Sequence, residues 1–234
     1  MLISCSSNNE PLPIVEEGPR TYKILPVGDS RVKGSNSIDS YLSYRYELWK
    51  RLIDSEIDFD FIGPKTDLTQ YAVYNNTIFD ADHAGYGGYT SEGILNTLST
   101  ILDPNNIPDI VLLGVGGNDL LTGTSPNEAL NNISIIIDFI QLINPEVIII
   151  VEEIAPAKST HMDAMRWQLL NEFNNGITRL TQQQSTSSSI VVSVDMEDGW
   201  QDSYFFDYIH YNLQGAKEAA DRYFDTLMPL IIGQ

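Results

Sequence analysis

An α/β fold, with helices on both faces of a mainly parallel sheet, is predicted by three features of this chain. Short apolar runs alternate along it with amphipathic stretches long enough to be helices. The runs are continuous, as in Val147-Ile148-Ile149-Ile150-Val151, which suits strands buried on both faces. Gly-Pro and Asn-Pro steps mark the switches from one kind of stretch to the other, at Gly63-Pro64 and Asn144-Pro145.

Residues 1–20 read as a flexible tail and 21–234 as one domain, within the usual size of a single hydrophobic core. A strand is predicted over 22–27. A helix follows over 38–53, with Leu42, Leu48, Trp49 and Leu52 on its inner side. The second strand, 59–62, stops at Gly63-Pro64, and an irregular stretch leads to Gly85-Tyr86-Gly87-Gly88. A helix over 91–102 and a buried strand over 110–113 come next. Ser125-Pro126-Asn127-Glu128 joins a capping box to a proline at the first helical position, so a helix should start there and run to 143. Strands over 147–151 and 190–194 enclose a helix over 164–180 and a polar loop over 182–189, and a last helix covers 213–230. Five strands separated by helices imply right-handed crossovers and a three-layer α/β/α sandwich around a flavodoxin-like, five-stranded parallel sheet. In such sheets ligands bind beyond the carboxyl ends of the strands.

The charge balance narrows the partners. Thirteen Lys and Arg face 32 Asp and Glu, a net charge of −19. Nucleic acid and anionic membrane surfaces would be repelled, so a neutral or cationic ligand is the better expectation. No stretch approaches the roughly 20 apolar residues of a membrane-spanning helix. The single cysteine permits no intrachain disulfide, and the fold must hold by its core. That cysteine, in Leu2-Ile3-Ser4-Cys5, resembles the lipobox of bacterial lipoproteins. The resemblance implies a lipid anchor on Cys5 and a place at the cell surface or in the bacterial periplasm. The alternative is an ordinary cysteine in a cytoplasmic protein. Oligomeric state is not legible.

Residues able to do chemistry fall just after the predicted strands. Gly28-Asp29-Ser30 follows the first and Gly87-Gly88 lies beyond the second. Gly114-Val115-Gly116-Gly117-Asn118-Asp119 follows the third, and Asp207-Tyr208-Ile209-His210 follows the fifth. A Gly-Asp-Ser tripeptide alone arises by chance in roughly one chain in twenty of this length. Its order with the other segments, each at a strand end, is what gives it weight. Other readings exist for each: Ser30 or Asp207 as a helix cap, Asn118-Asp119 as a turn, His210 as a satisfied structural histidine.

Together these segments resemble the SGNH, or GDSL, hydrolase superfamily over about residues 22–226. Ser30 matches its block I serine, Gly88 its block II glycine, Asn118 its block III asparagine and His210 its block V histidine. Asp207 matches the aspartate of the D-x-x-H motif. Gly85 and Gly87 compete for block II, and the context His83-Ala84-Gly85-Tyr86-Gly87-Gly88-Tyr89 selects Gly88. Ser43-Tyr44-Arg45 through Leu48-Trp49 resembles a helix of carbohydrate-esterase-like members. Position 31 is Arg where the family name has Leu, and there substrate identity stops being readable.

The resemblance implies a serine esterase. Ser30 would be the nucleophile, His210 its base and Asp207 the group that orients the imidazole. Backbone N–H of Ser30 and Gly88 and the Asn118 amide would receive the oxyanion. No cofactor or metal is called for. The chain lacks a G-x-S-x-G elbow and a Walker A loop, and His83, His161 and His210 have no metal-ligand spacing. Trp200, Tyr204, Phe205, Phe206, Tyr208 and Tyr211 crowd the base, and Tyr86 and Tyr89 flank the block II glycine. Exposed rings there would stack on sugar, suiting an O-acetyl esterase of carbohydrate, while rings packed in the sheet edge would not. An acyl-thioesterase or lysophospholipase, and a non-catalytic carbohydrate-binding relative, are the alternatives. A binding module has no need of Ser30, His210, Asp207 and Asn118 together. His83 reads either as support for the site or as a surface loop residue.

Overall fold

The computed structural model describes residues 20–35, 40–67 and 71–232. Cys5 and the tail therefore lie outside the described residues. The strands are β1 (Tyr22–Gly28), β2 (Phe59–Phe61), β3 (Lys65–Thr66), β4 (Asp82–Gly85), β5 (Ile110–Gly114), β6 (Ile148–Glu153) and β7 (Val191–Asp195). Their order in the sheet is β3-β4-β1-β5-β6-β7, with β2 also paired to β1. β1, β5, β6 and β7 run parallel in register, Ile24 opposite Ile110, Ile110 opposite Ile148 and Ile149 opposite Val191.

The fifth position differs from expectation. β2 pairs only with the first half of β1, Tyr22 to Ile24, and β4 takes over at Val27 and Gly28. β3 runs antiparallel beside β4, Lys65 opposite His83. β4 was not expected, because Asp82-His83-Ala84-Gly85 holds none of the residues that favour strands (Val, Ile, Thr, Phe, Tyr, Trp), nor was β3, which is only two residues long. The backbone of β4 is extended because the exposed end of β1 supplies its partners.

Side chains of the central strands alternate between two cores. Leu25, Val27, Val111, Leu113, Ile149 and Val151 meet α3 (Ser91–Ile101), α5 (Pro126–Ile143) and α6 (Ala164–Gln184) on one face. Ile24, Ile110, Leu112, Ile148 and Ile150 meet α2 (Arg45–Asp54) and α7 (Leu213–Ile232) on the other. Each buried Val, Leu or Ile stabilises the fold by roughly 1.5–3 kcal/mol, which is how a chain without a disulfide holds three layers. Ser125 caps α5 as expected, its Oγ accepting from Glu128 N at 3.2 Å behind Pro126.

Two boundaries are corrected. The helix expected over 38–53 begins, among the described residues, at Arg45; positions 38 and 39 lie outside them. Its reason is that the preceding backbone bonds elsewhere: Leu42 N donates to Tyr211 O and Tyr41 O accepts from Ser35 N. α6 runs four residues past 180, so Gln182 to Gln184 are helix and not loop. Two short helices went unforeseen, α1 (Ser30–Lys33) and α4 (Gly117–Thr122), each beginning where a chemically useful residue sits. Among the described residues no helix is long and apolar enough to cross a membrane, and no group of His, Cys, Asp and Glu is placed to hold a metal.

Candidate active site

β1 and β5 end side by side, and the fit is tight. Gly28 has φ +154°, and a Cβ there would stand 1.9 Å from the Gly114 carbonyl oxygen, so only glycine lets the chain turn. Asp29 then caps α1, its Oδ1 accepting from Arg31 N at 2.9 Å. The capping task therefore falls to Asp29, and Ser30, the first helical residue, keeps its hydroxyl free for another partner.

That partner is His210. Its Nε2 lies 2.9 Å from Ser30 Oγ, and its Nδ1 lies 2.7 Å from Asp207 Oδ2. Asp207 Oδ1 also accepts the backbone N–H groups of Ile209 and His210, at 2.8 and 2.7 Å. Burial opposes ionisation of Asp207, but the imidazole and these two N–H groups outweigh it and hold the carboxyl below its usual range. An ionised carboxylate only accepts, so Nδ1 carries the imidazole proton and Nε2 presents its lone pair to Ser30. The chain-distant residues 30, 207 and 210 thus form one relay.

Asn118 and the Gly88 turn complete the rim. Gly116 caps the start of α4 with φ +124°, and a Cβ there would strike the Phe173 ring at 2.2 Å. Asn118 Nδ2 donates to Tyr89 O at 3.0 Å and faces Asp29 Oδ2 at 3.5 Å, so its amide stands between the nucleophile loop and the turn holding Gly88. That turn hangs from β1, Tyr86 N donating to Gly28 O at 2.8 Å. The three candidate glycines separate. Gly85 packs against α1, where a Cβ would come 2.5 Å from Lys33 N; Gly87 has ordinary space; Gly88 has φ +80° and faces open space. The turn follows β4 rather than the second strand.

The supporting roles of Asp119 and Arg31 were not foreseen, and of the two readings of His83 the surface one is excluded. Asp119 is buried and accepts from both Ser91 N (2.8 Å) and Ser91 Oγ (2.6 Å), tying α3 to α4. Arg31, at the position that departs from the family tetrapeptide, donates from Nε to Ile209 O (3.0 Å), from one terminal nitrogen to Ala155 O (3.0 Å) and from the other to Pro156 O (3.3 Å). It clamps the His210 loop to the loop after β6. His83 is not a surface residue: it is 2% exposed, accepts from Gly85 N at 2.8 Å and faces Asp67 at 3.2 Å. Burial, which Asp67 only partly offsets, pushes its pKa down and keeps it a neutral acceptor behind the Gly85–Gly88 segment. The signal for His83 was its place two residues before Gly85; nothing local marked the other two.

From Ser30 and Asn118 a cleft of about 490 Å³ extends between α4 and the start of α6, lined by Leu120, Leu121, Ile154, Met162, Met165 and Leu169 among others. Tyr208 and His161, stacked at 4.9 Å, stand at its polar rim. Of the aromatics near the base, Phe205 and Tyr211 are core residues, whereas Phe206 and Tyr208 are exposed.

Comparison with known proteins identifies the family and the fold. Residues 27–218 match the GDSL-like Lipase/Acylhydrolase family. Among solved structures, a carbohydrate esterase family 3 protein from Talaromyces cellulolyticus is 26% identical with TM-score 0.77, covering 92% of this chain and 100% of its own. An acetyl esterase solved with an acetate ion is 25% identical with TM-score 0.74 (91% and 99% covered). A Clostridium thermocellum family 3 carbohydrate esterase is 27% identical with TM-score 0.70 (88% and 94% covered). No curated protein matches the chain. The chain belongs to the GDSL-like lipase/acylhydrolase family, a carboxylic ester hydrolase on the SGNH hydrolase fold.

Proposed function

We propose that the protein is a serine esterase removing short acyl groups, with O-acetyl groups on carbohydrate as its substrate class. The observation that carries this is the unbroken relay from Ser30 Oγ through His210 to Asp207, at 2.9 and 2.7 Å. A serine hydroxyl is a poor nucleophile until a base removes its proton. His210 Nε2 takes that proton as Oγ attacks the ester carbonyl, then returns it to the departing alcohol. Asp207 stabilises the imidazolium between these events. The oxyanion is received by backbone N–H of Ser30 and Gly88 and by the Asn118 amide, whose second hydrogen has only the long 3.5 Å contact to Asp29. Water then attacks the acyl-enzyme, with His210 as base again. The acetyl class is supported by the likeness to an acetyl esterase and to two family 3 carbohydrate esterases. The exposed rings of Phe206 and Tyr208 beside the base offer stacking surfaces for sugar.

One observation favours a second reading. The cleft beyond Ser30 is walled by Leu and Met side chains, which suit a longer acyl chain, as in an acyl-thioesterase or lysophospholipase.

The test is hydrolysis of p-nitrophenyl acetate and acetylated xylan by the protein and by Ser30→Ala and His210→Ala. Both variants should stay folded and lose about 10³-fold or more in kcat. Equal rates for the protein and Ser30→Ala would remove the nucleophile assignment.

A further inference from the structure

One ring in contact with the relay belongs to none of the strand-end loops. Tyr41 lies between α1 and α2, and its ring is stacked flat on His210, centroids 4.0 Å apart and planes 21° from parallel. Its backbone is held on both sides. Tyr41 O accepts from Ser35 N at 3.2 Å, and the next residue, Leu42, donates its N–H to Tyr211 O at 2.8 Å. The second of these bonds ties the segment directly to the residue after His210.

His210 is thus engaged in its plane and on a face. In the plane, Nδ1 meets Asp207 and Nε2 meets Ser30. The buried Asp29 carboxylate at the start of α1 is close enough to interact with the imidazole through charge, and the Arg31 guanidinium holds the Ile209 carbonyl next door. The covered face is Tyr41's. An aromatic face carries negative π density and attracts a cation placed over it, more so where water is excluded. The imidazole becomes such a cation only while it holds the proton taken from Ser30 or from the deacylating water.

We propose that Tyr41 is a positioning residue for the reaction assigned above, its ring pinning the His210 imidazole in the Asp207–Ser30 plane and stabilising the imidazolium that forms there. The proposal rests on the serine esterase reading for its meaning, though not for its measurement. The ring works with Asp207 in an additive way: the carboxylate compensates the charge through Nδ1–H, the π face compensates it from above. The hydroxyl of Tyr41 has no part in this.

The experiment follows the imidazole directly. His210 is titrated by nitrogen NMR in the Ser30→Ala protein, with His210→Asn used to assign its signals among the three histidines. Adding Tyr41→Leu, which keeps apolar cover but removes the π face, should lower the midpoint by about 0.4–1.5 pH units, while Tyr41→Phe should leave it in place. With Ser30 intact, Tyr41→Leu should lower kcat about three- to tenfold at unchanged KM and move the acid limb of kcat/KM to lower pH, and Tyr41→Phe should match the parent. If the leucine variant does not fold, Tyr41→Met takes its place.

An unmoved or raised midpoint, or a phenylalanine variant that behaves like leucine, overturns the proposal. So does a loss confined to KM, which would make Tyr41 a wall of the substrate site. Absence of any ester hydrolysis by the unaltered protein would instead defeat the esterase reading, and the NMR midpoint would still decide about Tyr41.

Discussion

Glu152 on β6 is 3% exposed, and its carboxylate lies so close to β5 that a Cβ on Gly114 would come 2.4 Å from Oε2. The Tyr211 and Tyr223 hydroxyls donate to it at 3.2 and 3.4 Å, and Arg31 sits over the Tyr211 ring. Burial pushes the carboxyl up from 4.5 to about 7, with Arg31 offsetting only part of the cost. The sign of the resulting pH dependence follows. Between those two values the unfolded chain has lost the proton and the folded one keeps it, so stability falls as pH rises through this window and levels off above pH 7. The full loss amounts to about 3 kcal/mol. Glu152→Gln keeps an acceptor for the two hydroxyls and cannot ionise. In urea unfolding it should be more stable than the parent at pH 8.5, by up to that amount, and no more stable at pH 5. A variant destabilised equally at both values would show that the ionised carboxylate is needed as a partner for Arg31.

At the scale of elements, α4 and α6 decide how much of a substrate the site can hold. Leu121 on α4 and Met165 on α6 are 50% and 72% exposed along the cleft, apolar surface that a bound chain would remove from water. A buried methylene is worth roughly 0.8 kcal/mol, or about fourfold in kcat/KM. On the longer-acyl reading, kcat/KM along p-nitrophenyl acetate, butyrate and octanoate should rise by up to that factor per added carbon, whereas on the short-acyl reading it should stay flat or fall. Met165→Asp should flatten the rise and leave acetate hydrolysis unchanged. A flat series in the unaltered protein would leave the short-acyl reading standing alone. The shorter of these helices, α4, also shows where sequence reading stops. β1, β5, β6 and β7 were legible because strands buried on both faces need unbroken apolar runs. α1 and α4, of four and six residues, are too short to show an amphipathic period, and β4 takes its shape from the end of β1. Ser30, Asp207 and His210 could be read because each follows a strand in a recognisable motif. Arg31, Asp119 and Tyr41 act through partners 28 to 178 residues away, and no local pattern carries that.

Over the whole molecule, a net charge of −19 sets a condition on stability that no single contact does. Like charges on a compact surface repel within a Debye length of roughly 10 Å at 0.1 M salt, and unfolding spreads them apart. Salt should therefore stabilise the fold. Opposing this, screening weakens exposed pairs such as Arg20–Asp109 and Arg166–Asp163, each worth only about 0.2–1 kcal/mol. The Arg45–Asp67 pair, with side chains 1% and 4% exposed, is out of reach of screening and holds the Lys33 and Ala81 carbonyls whatever the ionic strength. With few favourable pairs to lose and a large excess of one sign, relief of repulsion is the greater effect. Raising NaCl from 20 to 500 mM should lift Tm by several degrees, since for a chain of this size 1 kcal/mol corresponds to about 2–4 °C. The same screening should raise kcat/KM for an ester carrying a carboxylate and leave that for p-nitrophenyl acetate unchanged, because only the charged substrate meets the protein's field on approach. A Tm that falls with salt would mean that the surface pairs outweigh the repulsion, and a salt response shared by both esters would place the effect on the site itself.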